Sequence, residues 1–273
     1  MTRPDPAVLA AVHGLIDDAV RQGCRPLVLG ICGSQGSGKS TLAAGLADDL
    51  ADAGKTCAVL SLDDLYLTQA QRKRLASEVH PLCITRGPPG THDVQLGIEV
   101  LDALRAGTPV RLPRFDKARD DRLDPSDWPL IESHCDVIVF EGWCVGAMPQ
   151  SPEALAQPVN ALEQHEDPDG AWRRYVNAAL AGPYQQLFAR IDRLVLLQAP
   201  RFEVVMNWRL QQEEELRAHS GDKPGVMSPA QLARFIQHYE RITRHILSEM
   251  PGRAELLIRL DEHRRAMAIE HHQ

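Results

Sequence analysis

A glycine-rich segment between Gly30 and Thr41, GICGSQGSGKST, has the residue types and spacing that hold a polyphosphate. It matches the pattern G-x-x-x-x-G-K-[ST], in which backbone N–H groups surround phosphate oxygens. In this pattern Lys39 reaches the β- and γ-phosphates, and the Ser40 hydroxyl ligates Mg²⁺. We therefore expect a nucleotide to bind through Gly33, Ser34, Gln35, Gly36, Ser37, Gly38, Lys39, Ser40 and Thr41.

Carboxylates follow two apolar, strand-like segments. Asp63 and Asp64 lie in LSLDDLYLT, and Glu141 follows VIVF. Acids at the carboxyl ends of parallel strands face the crevice where ligands bind, and a kinase needs one of them near the γ-phosphate to accept a hydroxyl proton. If its strand neighbours the phosphate loop, Glu141 can hold Mg²⁺ directly or through water. The alternatives are a helix N-cap for the aspartates and a solvated position for Glu141.

The elements that must position these residues alternate between strands and helices. Apolar, β-rich runs are Leu27–Cys32, Cys57–Leu62, Val137–Phe140, Leu194–Leu197 and Leu256–Leu260. Helical stretches separate them, which predicts an α/β fold of the P-loop NTPase type, with a parallel sheet and helices on both faces. The phosphate loop lies between the first run and a helical stretch ending near Gly54, as its function requires.

Composition narrows the classes of function. The chain has 273 residues and a net charge of −7, which argues against a general nucleic-acid or membrane binder. The six cysteines have no C-x-x-C or metal-like spacing, so we expect reduced, buried thiols and a cytoplasmic protein. The N-terminal residues predict a helix capped by Asp5 rather than a signal peptide, and no apolar run approaches the ~18 residues of a membrane span.

The long segment between the second and third apolar runs is a candidate substrate-binding insertion, residues 65–135. Long ordered insertions in α/β folds usually have a function. Its stretch Arg105–Arg122 holds six basic and three acidic residues, a local charge of +3 that suits an anionic substrate. The candidates for binding that substrate are Arg86, His92, Asp93, Arg114 and Lys117. His92 and Asp93 have an alternative role as caps of the helix predicted over Asp93–Ala106.

Three motifs together, GSQGSGKST, LSLDDLYLT and VIVFEGW, resemble the phosphoribulokinase, uridine kinase and pantothenate kinase group of P-loop kinases. Further motifs resemble the D-glycerate 3-kinases of the plant and fungal type: TRGPPGTHDVQL, LPRFDKARDDR, FEGWCVG, NWRLQQEEELR and MSPAQLARFIQHYERIT. This second resemblance runs from about Gly30 to Asp261. The sequence departs from the plant pattern at Leu65, a position commonly filled by an aromatic residue.

The resemblance implies a single kinase domain over residues 1–273 that uses ATP and Mg²⁺ to phosphorylate D-glycerate at its 3-hydroxyl. It implies that Asp63 is the general base, that Glu141 is the Mg²⁺-associated acid, and that Arg209 and Arg217 are arginines of a lid at residues 200–225. Their spacing of eight places both arginines on one helix face, although Glu213, Glu214 and Glu215 could pair with them on a solvated helix.

Two other functions stay open at this point. One is a kinase of the same fold with another small acceptor, such as a nucleoside, pantothenate or a different hydroxy acid. A nucleoside would need aromatic rings for stacking, and the insertion offers Tyr66, Phe115 and Trp128. The other is a regulatory P-loop ATPase without an acceptor; a GTPase is disfavoured because the sequence has no N-K-x-D motif. We expect no nucleic-acid, membrane or obligate protein partner.

Overall fold

The computed structural model describes residues 4–220 and 227–272, without the side chains of residues 212, 213 and 215–220. Its strands are β1 (Leu27–Gly33), β2 (Cys57–Ser61), β3 (Val110–Arg111), β4 (Phe115–Asp116), β5 (Asp121–Arg122), β6 (Leu130–Ile131), β7 (Val137–Gly142), β8 (Arg193–Gln198), β9 (Leu256–Leu260) and β10 (Ala266–His271). Its α-helices are α1 (Pro6–Arg21), α2 (Lys39–Asp52), α3 (Gln69–Glu78), α4 (Val94–Ala106), α5 (Ala161–Glu166), α6 (Ala171–Ala179), α7 (Gln185–Phe188), α8 (Phe202–Ser220) and α9 (Pro229–Glu249).

The predicted α/β fold is confirmed. Within the described residues, one large sheet has the strand order β10-β9-β8-β1-β7-β2, and the strands from β9 to β2 run parallel. Alternate residues of each strand enter opposite cores, so that Val28 packs on one face of the sheet and Leu29 on the other. Helices cover both faces, which is why these strands read as continuous apolar runs. The five predicted strands are all present, with ends that differ by at most two residues.

The strand β10 was not predicted. It pairs antiparallel with β9 at the edge of the sheet, and most of its side chains are half-buried or exposed. Met267, for example, is 69% exposed. An edge strand needs no continuous apolar run, so hydrophobicity alone does not detect it. No helix in residues 4–220 or 227–272 is long and apolar enough to cross a membrane.

Residues 65–135 connect β2 to β7 and contain two helices, α3 and α4, and α4 matches the predicted helix to within one residue. The buried guanidinium of Arg72 holds this segment together: its Nε donates to the Leu67 carbonyl and its Nη1 to that of Ile84. Its Nη2 lies 2.8 Å from an Asp120 carboxylate oxygen. This arginine ties α3 to the loop after it and to Asp120, beside the apolar residues through which α4 joins the core.

The cysteines are all unpaired, as expected, but not all are buried. Cys32, Cys83, Cys135 and Cys144 are buried, whereas Cys24 and Cys57 are partly exposed. The expectation of burial was therefore wrong for these two. Cys57 lies at the start of β2, where the alternation of the strand turns its side chain toward a partly open surface.

Candidate active site

The phosphate loop joins the end of β1 to the start of α2 and requires glycine at two positions. Gly38 is the residue before α2 and has a φ of 93°, and Gly36 has a φ of 78°. A β-carbon at Gly36 would also lie 2.8 Å from Cβ of Trp208. Because L-residues rarely adopt positive φ, glycine permits both the turn and this close approach. The N-terminus of α2 then points its partial positive charge at the loop.

The side chains of this loop leave polar atoms unsatisfied in a manner that suits a bound nucleotide. Ser40 donates a hydrogen bond to Glu141 Oε1 at 3.0 Å, because β1 and β7 are neighbouring strands. The second oxygen of Glu141 is buried and has no hydrogen-bond partner among the described residues. The hydroxyls of Ser34 and Ser37 are also buried without a partner there. Native proteins rarely leave such atoms unpaired. A hydroxyl beside a buried carboxylate oxygen suits Mg²⁺, which takes one or two carboxylates and completes its shell with phosphates and water.

Asp63 lies just after β2, beside the phosphate loop. Its carboxylate accepts hydrogen bonds from the Tyr66 hydroxyl at 2.7 Å and from Lys117 Nζ at 2.6 Å. Burial alone would raise the pKa of Asp63, but the charges of Lys117 and Lys39, with the two hydrogen bonds, hold it well below its usual range. Asp63 is therefore ionised at neutral pH and can accept a proton.

Asp64 has a different environment from its neighbour. One carboxylate oxygen accepts the backbone N–H of Phe115 at 3.1 Å, and the other accepts Arg114 Nη1 at 3.2 Å. Burial raises the pKa of Asp64, although the Phe115 N–H and Arg114 oppose the rise. These contacts attach the hairpin β4–β5 to the end of β2. Asp64 therefore fixes the position of the insertion, and Asp63 faces the phosphate loop.

Replacing Lys117 by Met should shift the pH dependence of kcat/KM toward higher pH. Loss of the ammonium removes the strongest contribution that lowers the pKa of Asp63, so the carboxylate protonates at a higher pH. In the wild type we expect the acid limb that belongs to Asp63 below the ordinary value for aspartate, about pH 4. The measurement is kcat/KM against pH for both proteins.

The control for this variant is Lys73→Met, in which an exposed lysine of α3 that bonds Gln69 is lost instead. It should leave the acid limb in place. An acid limb that does not move in Lys117→Met would show that Asp63 does not control the rate.

The basic residues of the insertion are largely paired, which sequence counting did not foresee. Four contact carboxylates that lie outside the stretch Arg105–Arg122. These pairs are Arg105–Asp192, Arg114–Asp64, Lys117–Asp63 and Arg122–Asp93. Acids distant in sequence thus offset the local excess of +3. Lys117 is the most exposed of the four cations, with 61% of its side chain accessible.

The remaining candidates for acceptor binding lie on the loop RGPPGTH and at the start of α4. Arg86 pairs with Asp120 and lies over the Phe115 ring at 5.6 Å. Asp93 caps α4 by accepting the Leu96 N–H at 3.2 Å, and its other oxygen contacts Arg122. The alternative considered for Asp93, helix capping, is thus what its contacts show.

Aromatic side chains from other elements hold this loop in place. Each of them hydrogen-bonds to the loop backbone through its hydroxyl or indole nitrogen: Trp143, Tyr175, Tyr184 and Tyr239. Sequence reasoning missed these residues, since each lies more than 50 positions from its partner. Asn177 of α6 accepts the Gln150 N–H and donates to the Gln150 carbonyl. These bonds connect its side-chain amide to a residue outside the candidate site.

Helix α8 begins beside the phosphate loop and contains the predicted lid arginines. Arg209 lies near enough to Tyr239 for its positive charge to lower the pKa of that hydroxyl. Burial has the larger effect and raises the pKa of Tyr239 far above its usual range. The side chain of Arg217 lies outside the described residues. Next to Arg209, the indole of Trp208 donates to the Glu262 carbonyl at 2.7 Å. Arg264, in the turn between β9 and β10, donates to the Gly36 carbonyl at 2.7 Å. The hairpin β9–β10 therefore supports both the phosphate loop and the first turns of α8.

The aromatic residues of the insertion are occupied by internal packing. The Tyr66 ring lies 4.9 Å from the His92 ring and 5.1 Å from the Phe115 ring. Trp128 is 8% exposed and donates its indole N–H to the Leu123 carbonyl. All three aromatic side chains are buried, so they offer no open face on which a nucleobase could stack.

Comparisons with known proteins give a GTPase family over the N-terminal part of the chain and kinases over most of its length. Residues 3–66 match the family model of the methylmalonyl Co-A mutase-associated GTPase MeaB, a region that ends just after the phosphate loop and β2. Uncharacterized kinase mug58 of Schizosaccharomyces pombe is 39% identical over 227 residues, which cover 79% of each chain. The chloroplastic D-glycerate 3-kinase of Arabidopsis thaliana is 32% identical over 224 residues, 78% of this chain and 46% of the plant protein. This chain thus spans about half the length of the plant enzyme.

The fold is also similar to the solved structure of D-glycerate 3-kinase from Cryptococcus neoformans. The two structures have a TM-score of 0.83 at 27% sequence identity, and the match covers 98% of this chain and 100% of the Cryptococcus chain.

Proposed function

Because the chain belongs to the P-loop kinase family of these relatives, we propose that it transfers the γ-phosphate of ATP to D-glycerate and forms 3-phosphoglycerate. It is a small-molecule kinase and an ATP-dependent phosphotransferase. The observation that supports the proposal most directly is the position of Asp63. An ionised carboxylate lies beside the phosphate-loop lysine and is also bonded to the cation Lys117 of the insertion. One cluster therefore contains a proton acceptor, a phosphate ligand and a ligand for an anionic substrate.

The reaction uses these residues in defined roles. Asp63 accepts the proton of the attacking hydroxyl, and Lys39 neutralises charge on the transferring phosphoryl group. Ser40 and Glu141 are the residues that would hold Mg²⁺, whose charge stabilises the phosphate oxygens when it is bound. Arg209 adds positive charge from α8, and positioning with electrostatic stabilisation provides most of the rate enhancement.

The acceptor is an anion, and two cations of the insertion are suited to bind it. Lys117 pairs with Asp63, and Arg114 pairs with the neighbouring Asp64. Both cations therefore lie where the insertion meets the carboxylate that accepts the proton. Both side chains are more than 30% exposed, so a substrate carboxylate can reach them. A planar guanidinium binds a carboxylate bidentately, and an ammonium binds it as a point charge.

A nucleoside acceptor is less well supported, because the three aromatic side chains of the insertion are buried in packing. A nucleotide switch without an acceptor is also less well supported. The match to a GTPase model covers only residues 3–66, and the sequence has no N-K-x-D motif for guanine. Neither alternative explains why the insertion brings cations to Asp63.

The decisive experiment is an acceptor panel with Mg·ATP. Small hydroxy acids, nucleosides and pantothenate are each tested for ADP formation, and phosphorus NMR identifies the product. We expect D-glycerate to be phosphorylated with the highest kcat/KM and the phosphate to be on the 3-hydroxyl. Preferential use of a nucleoside or of pantothenate would overturn the assignment, as would ATP hydrolysis that no acceptor stimulates.

Replacing Arg114 by Ala should raise KM for D-glycerate about 10- to 150-fold, because a charge-assisted hydrogen bond to a carboxylate contributes roughly 1.5–3 kcal/mol. KM for ATP should change little. Glycerol lacks the carboxylate, so it should be a poor acceptor for the wild type and should suffer little further loss. Steady-state kinetics with both acceptors measure the difference.

The matched control is Arg111→Ala, which removes an exposed arginine of the same insertion whose guanidinium donates to the Ser126 and Trp128 carbonyls. It should leave KM for D-glycerate near the wild-type value. Equal losses with glycerate and glycerol in Arg114→Ala would mean that Arg114 acts only by holding Asp64 and the insertion.

A further inference from the structure

The buried ring of His92 lies one aromatic ring away from the reacting carboxylate. Its centroid is 4.9 Å from that of Tyr66, whose hydroxyl donates to Asp63 at 2.7 Å. His92 is 5% exposed, and its Nδ1 lies 2.5 Å from the hydroxyl oxygen of Tyr184, a residue of the segment between α6 and α7. His92 has none of the catalytic or binding roles in the reaction proposed so far.

The hydrogen bonds around Tyr184 decide which nitrogen of His92 bears the proton. The Gly90 N–H donates to the Tyr184 oxygen at 3.0 Å, so that oxygen acts as an acceptor there. The hydroxyl proton of Tyr184 then needs an acceptor of its own, and among the described residues His92 Nδ1 lies within hydrogen-bond distance. A neutral imidazole has one donor and one acceptor nitrogen. The Nδ1 atom is therefore the acceptor, and the ring proton is on Nε2.

The Nε2–H group is a buried donor without a partner within residues 4–220 and 227–272. Burial lowers the pKa of His92 to about 3, although the charge of Asp63 opposes this shift. The ring is thus neutral at physiological pH and does not form an ion pair with Asp63. A buried, unpaired donor in an otherwise satisfied network usually marks a place that a ligand or a water molecule completes.

We propose that His92 determines acceptor specificity by donating its Nε2–H to the carboxylate of the hydroxy acid, and that Tyr184 positions it by fixing this tautomer. This inference rests on the proposed function and assigns the part of the acceptor that the ring contacts. A donor-only nitrogen complements a carboxylate oxygen, which only accepts. An acceptor without that oxygen leaves the buried N–H unpaired and is rejected.

Kinetics of four variants test the proposal. His92→Leu should raise KM for D-glycerate about 10- to 100-fold, with KM for ATP changed by less than about twofold. His92→Gln keeps an N–H donor and should restore part of the loss. Tyr184→Phe should raise KM for D-glycerate about 2- to 10-fold, because only the molecules with the correct tautomer bind. Tyr175→Phe is the matched control, since Tyr175 donates to the carbonyl of the same Gly90 and forms no hydrogen bond with His92 within the described residues.

A second measurement separates the tautomer from general damage to the loop. Long-range ¹H–¹⁵N NMR distinguishes the protonated nitrogen of each imidazole, and the His92 signals are those lost in His92→Gln. We expect Nε2–H in the wild type and in Tyr175→Phe, and a mixture of tautomers in Tyr184→Phe. A wild-type Nδ1–H signal would overturn the inference, as would equal KM changes in the two tyrosine variants or an unchanged KM in His92→Leu.

These outcomes are distinguishable from a failure of the proposed function. If the wild type does not phosphorylate D-glycerate, the proposed function fails and the assignment of the carboxylate fails with it. The NMR spectrum then still decides whether Tyr184 fixes the His92 tautomer. KM for the acceptor that is used decides whether His92 binds it.

Discussion

Replacing Lys39 by Ala should abolish phosphoryl transfer and weaken ATP binding. The variant loses a fixed positive charge at the phosphates in a preorganised site, where removal of such a donor costs about 3–4 kcal/mol, or roughly 10²–10³ in kcat. The structure adds a second effect. Lys39 also lowers the pKa of Asp63, so the acid limb of any residual activity should move toward higher pH. ADP formation and calorimetric titration with Mg·ATP measure the two consequences.

The control for Lys39→Ala is Lys55→Ala, which removes an exposed lysine that pairs with Asp17 at a distance of 3.5 Å. It should have wild-type kinetics. Circular dichroism and thermal unfolding establish that both variants are folded. A folded Lys39→Ala protein with wild-type turnover would refute the assignment of this loop as the phosphate site.

Replacing Asp63 by Asn should lower kcat about 10²- to 10⁴-fold and leave the affinity for ATP near normal. The amide has almost the same shape as the carboxylate, but it cannot accept the hydroxyl proton. It also loses its attraction for Lys117, which bonds to Asp63 at 2.6 Å in the wild type. The acid limb that belongs to Asp63 should disappear from the pH profile of the residual activity.

Asp64→Asn is the matched comparison, because the two residues are adjacent and both are acids. Its side-chain oxygen can still accept the Phe115 N–H, whereas the ion pair with Arg114 is lost. We expect a modest decrease in kcat and an increase in KM for the acceptor as the insertion loosens. A larger loss of kcat in Asp64→Asn than in Asp63→Asn would reverse the roles of the two aspartates.

Local patterns in the sequence predict the parts of this protein that depend on neighbouring residues. The phosphate loop, the acids just after β2 and near the end of β7, and the capping of α4 by Asp93 all follow from residue types at short spacing. Strand order allows prediction of some contacts between residues distant in sequence. Because β1 and β7 are neighbours, Glu141 must lie near Ser40. The parallel sheet was predictable because its strands are buried on both faces and therefore apolar throughout.

Other features of the site depend on contacts between distant residues, which a single sequence does not encode in any visible pattern. Lys117 bonds to Asp63 across 54 positions, and Tyr184 bonds to His92 across 92. Composition made the stretch Arg105–Arg122 look like an unpaired positive region, whereas acids from elsewhere in the chain offset much of its charge. Charge counted along a sequence is therefore a weak guide to charge in a folded site.

The hydrogen bond from Arg264 to the Gly36 carbonyl joins residues 228 positions apart. The nucleotide site can therefore be completed only late in synthesis of the chain. The phosphate loop emerges early from the ribosome, but the hairpin that supports it follows more than 220 residues later. A nascent chain that ends before Asp261 has the complete loop sequence but lacks its support. Nucleotide affinity measured on ribosome-bound chains of increasing length should therefore rise late, when the β9–β10 turn becomes available, rather than when α2 has emerged.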